Sequence, residues 1–441
     1  ASIYHLETDG RPLYNHPGLG LESGEKFGRT IVGTINPILD AKNYYGNASD
    51  FLRTQSTYAT FVHKRRLDDG GELKTTVRHG HYERDLLASV IRFTGNPNPS
   101  NVLNPSTSLG RDFKSRRGES NVTQIQSDYS GNFKWAGFAH SFLAGMDYSY
   151  DDAKRNPGVR VTTTPTSTYT SVGSPNDGNS VAYTRDLSMG GFITKNLGLY
   201  AQDTINLNNE VKVVGGLRLD TFSGDYRDTS NRTFRLNDTL LSTRLGSIWQ
   251  PTDHESYYAS YGNSYNTSGD TYQFGGYSTD LTGRNQTGLN TPPEMSRNYE
   301  IGGKFDVFEK KAILGIALFH SEKYNERNTD VDSAANQYLL SGKRHATGME
   351  FNFAGRITPA WEVFYNHTWI PEAKIDESSI AATGNGAQGK GDRPALTPKH
   401  SASLWSTYRI NTTWRVGGGL NYRGEQNPDG ARNGYAQAFT T

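Results

Sequence analysis

Segments in which every second residue is apolar return along the whole length of this chain, and the connections between them alternate strictly between short and long. From Glu210 to Thr221, Val211, Val213, Leu217 and Leu219 share one face, with Lys212, Arg218 and Asp220 on the other. Between Ala346 and Ile357, Thr347, Met349, Phe351, Phe353 and Ile357 alternate with Gly348, Glu350, Asn352, Ala354 and Arg356. Tyr299, Ile301, Gly303 and Phe305 alternate with Glu300, Gly302, Lys304 and Asp306, and Trp414, Val416, Leu420 and Tyr422 with Arg415, Gly417, Asn421 and Arg423. A period of two is that of an extended strand with one apolar face. Short turns are predicted near Asp68 to Gly71, Phe133 to Gly137, Leu207 to Glu210, Pro251 to His254, Phe308 to Lys311, Thr358 to Ala360 and Ile410 to Thr412. Between them lie long polar stretches: Gly10 to Asp50, Leu86 to Gly118, Asp151 to Arg185, Tyr226 to Asn237, Asn266 to Ser296, Asn325 to Asn336, Pro371 to Leu396, and one from about Gly424.

Alternating faces alone fit a soluble sandwich, where the apolar face is buried, or a membrane barrel, where it meets lipid and the polar face lines the lumen. The connection lengths separate the two, because tight turns on one side and long loops on the other are the pattern of bacterial outer-membrane barrels. Composition agrees. Only 34% of residues are hydrophobic and the mean hydropathy is -0.71, and no stretch approaches the roughly 20 apolar residues of a membrane helix. Yet there are 26 Tyr, 19 Phe and 48 Gly, which suits strands with interfacial aromatics. Trp361, Trp369, Trp405 with Tyr408, Trp414 with Tyr422, and Trp249 with Tyr257, Tyr258 and Tyr261 stand at expected strand ends and read as girdles. About sixteen or seventeen strands are expected, a large antiparallel all-β barrel over residues 1–441. Ala1 to Leu6 already reads as a strand without an upstream partner, and a new strand begins as the chain reaches Thr441. Further strands are therefore expected at both ends, since an open edge in lipid is untenable.

The absence of cysteine excludes disulfides, thiolate metal sites and a Cys nucleophile. A net charge of +1, from 46 basic and 45 acidic residues, argues against a nucleic-acid partner.

Several motifs resemble one family. Gly198-Leu199-Tyr200-Ala201-Gln202-Asp203, Thr291-Pro292-Pro293-Glu294 followed by Ser296-Arg297-Asn298-Tyr299-Glu300-Ile301-Gly302-Gly303-Lys304, and Leu396-Thr397-Pro398-Lys399-His400-Ser401 look like TonB-dependent siderophore receptors. Ala317-Leu318-Phe319 leading to Asn325-Glu326-Arg327-Asn328-Thr329-Asp330, and Arg415 to Gly424, look closest to the branch of catecholate siderophore receptors. The resemblance implies a 22-stranded transmembrane barrel in the bacterial outer membrane, an N-terminal plug contacting TonB, and uptake of a ferric siderophore driven by the TonB-ExbB-ExbD complex. The expected surroundings are outer-membrane lipid and lipopolysaccharide, and the expected state is a monomer. A plug ahead of Ala1, and final strands with a terminal aromatic of the family's kind after Thr441, are expected in the natural receptor.

A ferric tris-catecholate is a bulky anion with flat facets, so Arg or Lys and aromatic faces are its natural partners. Loop candidates are Arg111, Lys114, Arg116 and Arg117 beside Asp112, then Tyr272, Phe274, Tyr277 and Arg284, and Arg327 where a strand meets its loop. Lumen-facing charges, Arg78, Arg218, Asp220, Arg244, Glu300, Lys304, Asp306, Glu350, Arg356 and Arg415, are assigned to docking the plug. The rival readings are a passive porin, for which these charges would set ion selectivity, and a receptor for haem, cobalamin or a glycan.

No enzyme is expected, because no nucleophile elbow, phosphate loop or paired-carboxylate signature is present. Gly384-Asn385-Gly386-Ala387-Gln388-Gly389 has dinucleotide-fingerprint spacing but lies in a polar loop with no following helix. His79 and His81 share a strand face without a third ligand, and Asp330 with Asp332 reads as solvated acid, so neither a metal site nor a resident cofactor is expected.

Overall fold

The computed structural model describes residues 1–12, 39–94, 104–156, 158–186, 188–227, 229, 231, 233–267, 292–325, 342–378, 390–427 and 435–441, with short strand segments in the intervals between them. One sheet of seventeen strands dominates. Its sixteen sequential strands are β1 (Ser2–Gly10), β2 (Phe51–Arg66), β3 (Glu72–Phe93), β4 (Ser108–Trp135), β5 (Phe138–Asn156), β6 (Gly190–Asn206), β7 (Val211–Arg227) and β8 (Thr233–Thr252). They continue as β9 (Glu255–Asn266), β10 (Glu294–Val307), β11 (Ala312–Tyr324), β12 (Lys343–Thr358), β13 (Trp361–Glu377), β14 (His400–Arg409), β15 (Arg415–Arg423) and β16 (Phe439–Thr440). Each pairs antiparallel with its sequence neighbours, and Tyr169–Ser171 adds a short seventeenth strand along the end of β4. The tight turns fall at 67–71, 136–137, 207–210, 253–254, 308–311, 359–360 and 410–414, where they were expected. At 136–137, Ala136 and Gly137 both have positive φ (50° and 86°), the geometry a two-residue hairpin needs to match the twist of its strands.

What makes this a membrane barrel is the inversion of its faces. Leu217, Leu245, Ile301, Val416 and Leu420 are all more than half exposed, at 59%, 58%, 56%, 52% and 55%. Ladder partners carry this apolar face around the wall, Leu199 opposite Leu219 and Leu219 opposite Leu241, then Ile301 opposite Leu318 and Leu318 opposite Met349. Lipid is the solvent that such a face requires, and the charged residues between lie on the lumen side. Toward the periplasmic turns the outward face ends in exposed Trp135, Trp249, Trp361 and Trp414, with Trp249 stacked on Tyr257 at 5.3 Å between centroids. Two of the expected girdle residues belong elsewhere. Trp405 pairs with Phe364 and Gly419, and Tyr258 with Gly302, in register with lumen positions, so both face the interior. Alternation had fixed their strands, but only the ladder fixes their parity.

Strands and loops divide differently from the sequence expectation at the extracellular end. β3 and β4 run 22 and 28 residues, far beyond the roughly 9–11 that span a bilayer. The expected loop from Leu86 to Gly118 shrinks to 94–107, and the stretch Tyr226 to Asn237 to 228–232. Above the lipid, protein covers these strands in place of acyl chains, and on β3 residues 86–91 are buried on both faces, so the apolar alternation fades while the backbone ladder continues.

The buried clusters lie in this raised region. Leu39, Tyr45, Ile91 and Leu109 form one, Phe51, Leu87, Val159 and Val181 a second, and Ala153, Phe192, Phe222 and Leu236 a third. Full burial of a leucine such as Leu87 or Leu109 contributes about 1.5–3 kcal/mol, so the extracellular end is packed like a soluble domain. The lower wall depends on lipid instead. Leu219→Lys, at mid-wall, is expected to lower the unfolding free energy in phospholipid vesicles by about 2–4 kcal/mol. A denaturant titration showing no loss would contradict the lipid-facing assignment.

Candidate functional site

The upper ends of β3 to β8 build two layers, one on each face of the same strands. On β3 the even-numbered residues face the lumen, since Val77 and Ile125 pair on the lipid side with exposed Phe61 nearby, and Arg78 pairs with Gln124 on the other. The register runs to the strand ends without a bulge, which places each charged residue by counting.

The outer layer is a cap. Residues 39–50 and 158–186 fold back against the outward face of β3 and β4, and Arg111 is the pin between them. Its guanidinium is 0% exposed; Nε donates to Tyr45 O at 2.6 Å, and the terminal nitrogens to Thr166 O at 3.3 Å, Gly46 O at 3.4 Å and Asp177 Oδ2 at 2.7 Å. Thr166 belongs to a single helical turn, Pro165–Thr168, whose last carbonyls have no partner within so short a helix. Arg111 satisfies one of them and the Asn47 side-chain amide another, Ser167 O at 3.1 Å. Asp50, also buried, accepts from Ser89 N at 2.9 Å, Ser89 Oγ at 3.1 Å and Tyr44 Oη at 2.8 Å. Burial pushes the Asp50 carboxyl upward despite these donors, and burial together with Asp50 pushes the Tyr44 hydroxyl upward.

The inner layer is a vestibule at the mouth of the lumen. Arg84, Gly118, Arg155 and Gly190 lie in one row across β3 to β6, with Arg116 one step above opposite Leu86. The two glycines leave the row open, so the guanidinium groups share one space. Burial, then the positive charges of Arg116 and Arg84, push Arg155 down to about 10, with Tyr226 acting in the opposite sense. In the next row down, Ala153 pairs with Phe192 and Phe192 with Tyr226, in the same apolar cluster as Phe222 and Leu236. The cations thus lie one row above an apolar, aromatic cluster.

Deeper in the lumen, Arg218 is held by two carboxylates, Asp147 Oδ2 at 2.6 Å and Oδ1 at 3.1 Å, and Asp220 Oδ2 at 2.7 Å and Oδ1 at 2.6 Å. It lies 5.2 Å over the Tyr200 ring, whose hydroxyl donates to Asp128. Gly198, opposite Asp147 and Asp220, makes room for it, because a Cβ there would overlap the guanidinium. A second lumen group joins Arg356 and Arg415 to Glu362 at 2.7 and 3.3 Å, and Tyr258 donates to Glu300 at 2.6 Å. Arg78 donates to Thr60 Oγ1 at 2.9 Å and lies 4.7 Å over Tyr58, and Arg244 faces Gly216 and Gly262. Lys304, Asp306 and Glu350 share the lumen parity with them.

The structure separates the expected loop cluster. Arg111, Lys114, Arg116 and Arg117 all lie in β4 and not in a loop. Arg111 is committed to the cap, Arg116 faces the vestibule, and Arg117, opposite Asp85 and Asn156, points to the outer wall. Arg84, Arg155, Phe192, Phe222 and Tyr226 were missed, although carrying the parity of Arg78 six residues on would have reached Arg84. Tyr272, Phe274, Tyr277, Arg284, Asp330, Asp332 and the Gly384–Gly389 motif lie outside the described residues. Arg327 opens a short strand, Arg327–Thr329, paired with Gln337–Leu339, and its side chain lies outside them too. Among the described residues no cluster of three metal-ligating side chains occurs; His79 and His81 face outward, bonded to Thr123 and to Asn121 with Glu83.

The cap gives a direct test. Burial pushes the Asp177 carboxyl up, but the Asn179 N–H and Arg111 outweigh it and hold it below the usual range. The stability this pair contributes is therefore present above the unfolded carboxyl value, about 3.9, and is lost only as pH falls through the lower folded value. Arg111→Ala at neutral pH is expected to speed proteolysis within 158–186 by at least about tenfold, equivalent to about 1.4 kcal/mol or more of local opening, with the barrel remaining folded. Unchanged cleavage would remove Arg111 from the role of pin.

The profile of the family described as TonB dependent receptor-like, beta-barrel matches residues 4–441. The chain is 24% identical over 457 residues to the catecholate siderophore receptor Fiu of Escherichia coli K12, covering 97% of this chain and 56% of that protein. It thus spans little more than half the length of the curated relatives it matches. Among solved structures, the siderophore receptor PiuA of Acinetobacter baumannii superposes with a TM-score of 0.79 at 21% identity, over 99% of this chain and 63% of that one. The closed form of the ferric-catecholate import receptor Fiu of E. coli K12 gives 0.75 at 22%, over 91% and 58%.

Proposed function

The chain belongs to the TonB-dependent receptor β-barrel family, and on that premise we propose that it forms the wall of a bacterial outer-membrane receptor that captures a ferric siderophore of catecholate type. Members of the family are transport receptors and not enzymes. The observation that carries the ligand class is the vestibule. Three guanidinium groups, Arg84, Arg116 and Arg155, converge at the lumen mouth above Phe192, Phe222 and Tyr226. Like charges gathered this closely repel one another, and an anion placed among them offsets that repulsion. A ferric tris-catecholate offers negative oxygens to the guanidiniums and a flat ring to Tyr226, the partly buried aromatic member of the cluster. Iron enters as cargo already chelated, so the reading calls for neither a protein ligand to the metal nor a resident cofactor.

The lumen carboxylates and guanidiniums fit a second role, docking a plug through which the TonB-ExbB-ExbD complex would pull. Arg218, Asp220, Arg356, Glu362 and Arg415 are paired side to side along the wall, and each remains partly exposed. A polar plug surface could exchange such bonds pair for pair, which suits a reversible contact.

The test compares binding of a ferric tris-catecholate, haem and cobalamin to the full-length receptor by intrinsic fluorescence. The triple variant Arg84→Ala, Arg116→Ala, Arg155→Ala is expected to lose catecholate affinity by about 100-fold or more, at about 1–3 kcal/mol per charged contact. Arg117→Ala, on the outer wall of the same strand, serves as the control and should bind normally. Unchanged affinity in a folded triple variant, or tighter binding of haem or cobalamin than of the catecholate, would overturn the assignment.

A further inference from the structure

The inner wall of the barrel is divided by charge. From the vestibule down to Lys74, every charged residue on the lumen parity of β2 and β3 is a cation: Arg84, Arg78, Lys74 and, opposite Lys74, Lys64. β1 contributes no charge to this face. Carried across the ladder, the rows from Gly80 to Lys74 reach Asp151, Asp147, Asp220 and Asp238 on β5 to β8, where Arg218 is the one cation. An anion in the lumen is therefore drawn toward β2 and β3 and repelled from β5 to β8.

Arg78 stands at the centre of the cationic sector. Its Nε donates to Thr60 Oγ1 at 2.9 Å, its guanidinium lies 4.7 Å from the centroid of the Tyr58 ring, and Tyr4 stacks on Tyr58 at 4.9 Å. The next lumen residue above it is Gly80, and the Tyr82 ring folds down into the space this glycine leaves. A Cβ on Gly80 would stand 2.7 Å from Tyr82 Oη and 2.9 Å from two ring carbons. Tyr58 and Tyr82 thus line the space above an exposed guanidinium. Among the described residues no carboxylate is paired with Arg78, whereas Arg218, Arg356 and Arg415 are each tied to acids on the wall. Charges already paired side by side suit a polar plug; a cation without a counter-charge, set beside aromatic rings, suits an anion with flat faces. Arg84 of the vestibule lies six residues up the same strand, about 20 Å away.

We propose that the inner face of β2 and β3 is the track by which an anionic ferric chelate leaves the vestibule, and that Arg78 with Tyr58 and Tyr82 forms a second subsite on it. The inference rests on the capture of a tris-catecholate at Arg84, Arg116 and Arg155. The Arg78 guanidinium takes the negative oxygens, the tyrosine rings take a catecholate ring, and Lys74 and Lys64 continue the attraction toward the periplasm. The iron keeps its chelator throughout, and no bond is made or broken on the way. The acidic sector beside the track holds the cargo to it by repulsion. Arg78 is thereby separated from plug docking, the role that parity alone suggests for it.

Uptake of a radioiron-labelled ferric tris-catecholate is measured in cells expressing the full-length receptor. Equilibrium binding of the same chelate and hydrogen exchange of the plug are measured on the purified receptor. Arg78→Glu is expected to slow uptake at saturating chelate by at least about tenfold, while affinity at the vestibule stays within about twofold. Tyr58→Leu, which removes the ring and keeps the charge, should slow uptake by about threefold or more. His79→Gln, on the outward face of the same strand, should take up the chelate normally. Unchanged uptake in a folded Arg78→Glu receptor would overturn the track. Slowed uptake with faster exchange of plug amides would overturn it too, by making Arg78 a plug contact, as would lost affinity, by placing Arg78 in the capture site. A wild-type receptor that does not bind the chelate overturns the capture reading and the track together, whereas normal capture with unchanged uptake in Arg78→Glu overturns the track alone.

Discussion

Every backbone N–H and C=O that enters lipid must find a partner within the protein, and the antiparallel ladder is how this chain meets that demand. From β1 to β16 each strand bonds to its sequence neighbours, so backbone satisfaction does not depend on side-chain identity. The side chains are then free to serve two solvents. Leucine, isoleucine and valine can be more than half exposed outward because the medium there is lipid, while arginine and aspartate face a hydrated lumen. A soluble fold with the same exposures would aggregate. The same pattern is stable here because the sheet stands between water and lipid.

Above the lipid the rule changes and so does the architecture. β3 and β4 continue as strands but are covered by protein instead of acyl chains, and the covering segments need polar anchors because their carbonyls are not in ladders. Arg111 and Asn47 supply them, collecting the carbonyls of residues 45, 46, 166 and 167. This rigid outer layer holds the strands on whose inner face Arg84, Arg116 and Arg155 crowd together. Mutually repelling charges need such support. The cap and the vestibule are two faces of the same strands, with buried hydrogen bonds on the outside and converging guanidiniums on the inside.

The fold was legible because membrane strands write their environment into the sequence twice, in the parity of Val211 to Leu219 and in turns as short as 136–137. Legibility stopped where that environment stopped. Residues 86–91 lack the alternation because both of their faces are buried in protein, and 108–118 divide their faces between cap and vestibule instead of lipid and lumen, so both stretches read as loop. The lumen charges Arg218, Asp220 and Arg415 were readable as lumen-facing, but Asp147, which chelates Arg218 from a strand 71 residues away in sequence, was not. Nothing local distinguishes it from any other aspartate on a polar face.

The sequence by itself determined the strands of the membrane wall, their order, the place of each short turn and the lipid-facing parity of the strongly alternating segments, since these follow from a period of two and from turn length. Tertiary structure alone decided which charges meet. Arg111, Arg116 and Arg117 look like one basic cluster in the chain, yet the ladder sends the first into the cap, the second into the vestibule and the third to the outer wall. It also joins Arg84 and Arg155, far apart in sequence, through the shared row of Gly118. The physical reason is that parity sets the face of a residue within its own strand, whereas its neighbours across the sheet are set by register, which no single strand encodes.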